Sequence, residues 1–147
     1  MKKQVYITGL LFIFLTLALT SCKKDDQPAS LGDLIIGKWE MQNMRQVYYL
    51  DNVKKFEYIY YYETDDLAYE FTDGGSIIQY RYGDINGTTT FTLNDNLVII
   101  ENGDVYIEWA DVTVNGNTLN WKQTGTETHN EVVYDVEYYS TATKSSK

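Results

Sequence analysis

Between Ala68 and Thr143 the chain alternates apolar and polar positions every two residues, and short polar clusters break the alternation at brief intervals. Side chains of an extended chain project alternately to its two faces, so "TTTFTL", "NLVII", "VYIEW" and "NTLNW" read as half-buried strands. The interruptions are Asp73-Gly74-Gly75, Asn86-Gly87, Asn94-Asp95-Asn96, Asn102-Gly103 and Asn115-Gly116-Asn117. Each can supply the positive-φ positions that tight hairpin turns require. The predicted strands run over 36–49, 67–72, 76–82, 87–93, 97–101, 104–114, 118–124 and 131–142. Links this short make sequential strands antiparallel neighbours. No comparably long 3.6-residue pattern occurs, and the one proline, Pro28, precedes the first strand. An open sheet of this size would leave two unpaired edges, which closure removes. The pattern therefore predicts an all-β domain, an eight-stranded antiparallel up-and-down meander closed into a small barrel.

Alternation also assigns faces. Val132, Tyr134, Val136 and Tyr138 share one side of the last strand, with Asp135 and Glu137 on the other, so the first set is expected to point inward. The same parity turns Trp39, Met41, Tyr69 and Phe71 inward, then Ile78, Tyr80 and Tyr82, then Phe91, Leu93, Leu97 and Ile99. It adds Val105, Ile107, Trp109, Leu119 and Trp121 from the later strands. Val112 and Val114 continue out of phase with Trp109, so a bulge is expected near Ala110. With so many bulky residues inside, the predicted lumen is narrow. The stretch "KKFEYIYYYETDD" (Lys54 to Asp66) carries aromatic surface on both faces and reads as an extension of the first hairpin that covers the open end.

The N-terminus has a different pattern. Lys2 and Lys3 precede an apolar run from Ile7 to Leu19 that stops at Cys22, the layout of a secretory leader. The run is shorter than the roughly 20 residues a membrane-crossing helix needs. Leu19-Thr20-Ser21-Cys22 resembles the lipobox of bacterial lipoproteins, which implies lipidation of Cys22 with acyl chains such as palmitate. An ordinary cleaved leader with a stray thiol is the plainer alternative. Lys23 to Ser30, "KKDDQPAS", reads as a flexible tether. Its Lys-Lys-Asp-Asp is similar to the export signals of surface lipoproteins of Bacteroidetes, though a plain solvated linker has the same composition. The expected organisation is a signal peptide over 1–21, the lipidated cysteine and tether over 22–33, and the barrel over 34–147.

Lipobox, tether, the Gly37-Lys38-Trp39 of "LIIGKWEM" and the meander follow one another in that order. Together they resemble the small lipocalin-like lipoproteins of Bacteroidetes, with "YEFTDGGSI" and "VNGNTLNW" as further points of likeness. The resemblance implies a lipocalin-like barrel, with Gly37 and Trp39 as its opening motif. Lipocalins often lay a late arginine over that tryptophan, where the last strand here offers Lys144.

Charge narrows the partners. The leader holds two of the 12 basic residues and none of the 21 acidic ones, so its removal leaves a formal charge of −11. Such a chain repels phosphate backbones and anionic headgroups, which argues against nucleic acid. Acidity alone would suggest disorder, but 14 tyrosines and three tryptophans provide for a packed core. Past Cys22 there is no thiol for a disulfide, a nucleophile or a thiolate metal site. His129, the one histidine, lies in the polar stretch "TGTETHNE", so neither a Ser-His-Asp nor a Cys-His arrangement is supported. Asp84-Ile85-Asn86-Gly87 lacks the spacing of a calcium loop. Asp111, on the bulged strand, is the candidate inward carboxylate, with an exposed position as the alternative. Neither an enzyme nor a cofactor or metal is expected.

What remains is binding. Tyr58, Tyr60 and Tyr62 at the mouth, with Tyr80, Tyr82, Trp109, Trp121 and Tyr138 of the interior, are the candidate ligand-binding residues. Aromatic rings with polar handles suit a small apolar or amphipathic ligand. The expected protein is an outer-membrane lipoprotein, held by lipid on Cys22 and displayed on the cell surface in one reading of its tether. The alternative is a cell-surface interaction module that contacts a protein or glycan through a Tyr-rich surface.

Overall fold

The computed structural model describes residues 29–146. The expected leader, Cys22 and the tether up to residue 28 lie outside the described residues. One short helix, α1 (Leu31–Ile35), precedes nine strands: β1 (Gly37–Leu50), β2 (Val53–Tyr61), β3 (Leu67–Phe71), β4 (Ser76–Arg81), β5 (Asp84–Asn94), β6 (Leu97–Asn102), β7 (Val105–Asn115), β8 (Thr118–His129) and β9 (Val132–Lys144). Every pairing is antiparallel. β1 and β3 to β9 follow one another around the sheet, and β9 returns to β1 from Trp39↔Lys144 to Tyr49↔Asp135. The result is a closed eight-stranded barrel, as the alternation predicts, plus one extra strand.

The extra strand is β2, the second arm of the first hairpin. β1 pairs with β3 from Gly37 to Glu40 and then with β2 from Asn43 to Leu50, along the same edge. A bulge at Gln42 marks the exchange, and the Gln42 carbonyl accepts the Tyr62 amide at 3.0 Å. The barrel wall also parts on its other side. β7 and β8 pair from Ala110↔Lys122 to Asn115↔Thr118, but above this point β7 pairs with β6 and β8 with β9. The divergence begins at the expected bulge, between Ala110 and Thr113, where Asp111 takes a φ of 53° and points to solvent. The upper halves of β2, β1, β9 and β8 therefore form a flap beyond the closed barrel.

The opposite end is plugged. Ser30 caps α1 by accepting the Asp33 amide while the Asp33 carboxylate accepts the Ser30 amide, a reciprocal capping box. Ile35 is fully buried, and Leu31 packs on the same core. The Trp39 indole donates to the Ile35 carbonyl at 2.6 Å, which satisfies one acceptor left free at the helix end. The ordered fold thus reaches back into the stretch expected as tether, because Leu31 and Ile35 have an apolar surface to bury. Beside this contact Gly37 adopts a φ of +122° and the Lys144 ammonium sits 5.2 Å from the centre of the Trp39 ring.

Trp39, Met41, Phe71, Phe91, Trp109, Leu119 and Trp121 form the core as parity predicts. Two strands break the expectation. In β4, Ile77 and Gln79 face in, while Ile78 and Tyr80 face out; Tyr80 donates to Glu70 at 2.6 Å beneath the Lys38 ammonium. In β6 the buried residues are Val98 and Ile100 in place of Leu97 and Ile99, set by their partners Leu93 and Phe91 on β5. Val105, expected inside, is exposed at a strand end. Asn86-Gly87 is no turn: the β4–β5 turn is Tyr82-Gly83, both at positive φ, and Asn86 is the extra residue of a bulge opposite Gln79 and Tyr80.

Candidate functional site

Where β7 and β8 part, the lumen opens into a cavity of about 380 Å³. Its floor is aromatic. Trp109 and Trp121 stack at 4.2 Å with 13° between their planes, and Tyr69 meets Trp109 edge-on at 5.1 Å. Neither tryptophan is itself a ladder partner across β7 and β8, so their stacking adds a side-chain contact next to the Ala110↔Lys122 pair, the last before the strands part. Ile77, Ile100 and Ile107 continue the apolar wall, and Gly87 thins it.

The polar atoms of the cavity come from amides and hydroxyls. Gln79 donates to the Tyr69 hydroxyl at 3.5 Å and accepts from Asn86 at 2.7 Å, while Gln123 accepts from the Trp121 indole at 3.4 Å. Thr88 and Thr89 complete the rim, with the Thr89 hydroxyl tied to the Glu101 carbonyl. Burial pushes the Tyr69 phenol above its ordinary range, so it stays a neutral donor at any physiological pH.

The inner face of the flap continues from this cavity. Tyr48, with 2% of its surface exposed, is the centre of an aromatic cluster. Phe56 stacks on it at 4.5 Å, and Tyr58, His129 and Tyr134 approach edge-on at 5.8, 6.0 and 6.1 Å. Glu127 ties the strands together: its carboxylate accepts the Tyr48 hydroxyl at 2.6 Å and the Tyr138 hydroxyl at 2.7 Å. These two bonds hold the Glu127 carboxyl below its usual range. Burial and then the Glu127 bond push Tyr138 up to about 12, and burial likewise raises Tyr48. The outer face is knit separately, with Glu137 accepting from Lys122 at 2.5 Å, Tyr139 at 2.6 Å and Tyr49 at 3.0 Å. A shallower groove of about 560 Å³ lies on that side between Tyr49, Thr124, Thr126 and Asp135, without an aromatic floor.

Of the candidate binding residues, Trp109 lines the cavity and Trp121 underlies it, while Tyr58, Tyr60 and Tyr138 lie on the inner face of the flap. Tyr62 packs on the core near the base of β2. Tyr80 and Tyr82 are not brought to the site: Tyr80 projects outward, and Tyr82 occupies a turn with 77% of its surface exposed. Gln79, Thr88, Thr89, Gln123 and Glu127 are members that the alternation did not single out. The inward parity of Leu119 and Trp121 carries on to Gln123 and Glu127, so polar residues in an apolar register were the available signal.

Among the described residues no group of three or more His, Cys, Asp and Glu side chains is placed to hold a metal ion, and no helix is long and apolar enough to cross a membrane. Comparison with protein-family models, with curated proteins and with solved structures gives no match to this chain.

Proposed function

We propose that this protein is a lipid-anchored envelope lipoprotein of the lipocalin-like kind that holds a small apolar or amphipathic molecule, without catalysis, in the open end of its barrel. The observation that carries the reading is the cavity of about 380 Å³ over the Trp109–Trp121 stack, within the size range of small-molecule sites. Gly37, Trp39 and Lys144 support the lipocalin likeness, since a cation lies over the tryptophan where that family often has an arginine. The described chain begins at the plugged end, so a tether from Cys22 would hold the barrel with its mouth turned away from an outer-membrane surface.

Native mass spectrometry of protein purified from its host tests the ligand. The expected result is a co-purified small molecule, lost when Thr89→Trp, at the inward-facing position opposite Ile77, fills the cavity. An adduct-free wild-type protein, or one whose adduct survives the filling, overturns the reading. The anchor has its own test. Cys22→Ala is expected to move the protein from the membrane to the soluble fraction, and retention on membranes overturns the lipoprotein assignment.

A second reading is favoured by one feature. Tyr58 to Tyr61, Tyr82, Ile85, Val105, Tyr106, Val132 and Val133 are all exposed, and all lie at the open end. Apolar surface concentrated at one end marks an interaction face, here for a protein or glycan. Tyr106→Ser with Val133→Ser would weaken such a contact and leave a cavity ligand in place.

A further inference from the structure

We propose that the cavity selects its ligand by charge, taking a flat cationic amphiphile and rejecting an anionic one; this deepens the ligand-binding reading and rests on it. The lining contains Tyr69, Gln79, Thr88, Thr89 and Gln123 among apolar residues, and no charged side chain. A carboxylate entering it would lose water without gaining a cationic partner. A cation keeps its head at the rim and gains the faces of aromatic rings, which attract positive charge.

The rim adds a field of one sign. The open end is ringed by carboxylates: Asp51 between β1 and β2, Glu63, Asp65 and Asp66 between β2 and β3, Asp104 before β7 and Glu131 before β9, with Asp84 opening β5 directly after the Tyr82-Gly83 turn. The cations of these connections and their flanks are Lys54, Lys55 and Arg81, and Glu57 engages Lys54 at 2.9 Å. At the closed end the strand connections carry Asp73 and Asp95 alone. Acidic groups around a cleft with apolar walls focus their potential into it and raise the local concentration of cations. The stacked indoles, nearly parallel at 13°, offer a flat floor for a planar body.

Three probes with one ring system separate the cases: naphthylmethylammonium, naphthylmethanol and naphthoate. Each is titrated into isotope-labelled lipidated protein in zwitterionic nanodiscs, with empty discs as the partition control, while the tryptophan indole N–H resonances are followed. The expected order is ammonium, then alcohol, then carboxylate, with the ammonium bound at least about tenfold more tightly than the carboxylate at low salt. Raising the salt should shrink that ratio, because screening weakens the rim's field. Thr89→Lys, at the inward-facing position opposite Ile77, places a cation in the wall and should reverse the order. Naphthoate binding as tightly as the ammonium, with the indoles shifting, overturns the charge selection and leaves the cavity reading intact. Failure of all three probes to shift Trp109 and Trp121 overturns the cavity reading itself.

Discussion

Gly37 precedes Trp39 by two residues for a reason visible at atomic scale. Its φ of +122° is one that L side chains rarely adopt, and a Cβ there would meet the Lys144 side chain at 3.0 Å. Gly37→Ala is therefore expected to destabilise the fold by about 1–3 kcal/mol in denaturant unfolding. Lys144→Ala removes only the exposed cation over Trp39 and should cost about 0.5–1 kcal/mol. Glu127 makes stability depend on pH in a calculable direction. The Tyr48 and Tyr138 hydroxyls depress its folded pKa, so its contribution is present above the unfolded carboxylate value and is lost as pH falls through the folded one. Glu127→Gln should flatten the acid limb of a stability profile below about pH 4. Tyr138 behaves oppositely. Its folded value near 12 lies above that of the free phenol, so its contribution is full below about pH 10 and disappears as pH rises through 12. Tyr138→Phe should lose that alkaline transition, read by thermal unfolding at stepped pH.

Turns and bulges govern the strands. Three hairpins turn without Asn-Gly: Asp51-Asn52, Tyr82-Gly83 and Asn130-Glu131 each place both central residues at positive φ, as hairpin twist demands. Only one of these six residues is glycine, so two of the turns carried no glycine signal. Glu131 at a φ of 67° bears strain that glycine would not, and Glu131→Gly should stabilise the β8–β9 hairpin by about 1 kcal/mol. The bulge in β7 behaves differently because it was legible. The phase change between Trp109 and Val112 announced it, and Asp111 accommodates it at a φ of 53°. Asp111→Val should cost about 1–2 kcal/mol or more, since a β-branched residue fits that conformation poorly. Chemical denaturation of both variants, with heteronuclear spectra to check the register, measures these effects.

At the scale of the whole molecule, the parting of β7 and β8 decides whether there is a site. Trp109→Ala removes the stack at that point and should cost about 3–5 kcal/mol, while abolishing binding of any ligand that rests on the floor. The period of two along the chain was enough to determine antiparallel strands, their sequence around the barrel, closure and an aromatic core built on Trp39, Trp109 and Trp121. These follow because every strand must bury one face and short turns leave no other neighbour. Alternation could not decide parity in Leu97 to Ile100, where apolar residues fill both faces, nor in β4, where Tyr80 found Glu70 and Lys38 outside and left Gln79 to the lumen. Which face turns inward there depends on register with strands distant in sequence. The opening has the same origin: a cavity exists where two ladders stop short of each other, and no local pattern in either strand records where its neighbour ends.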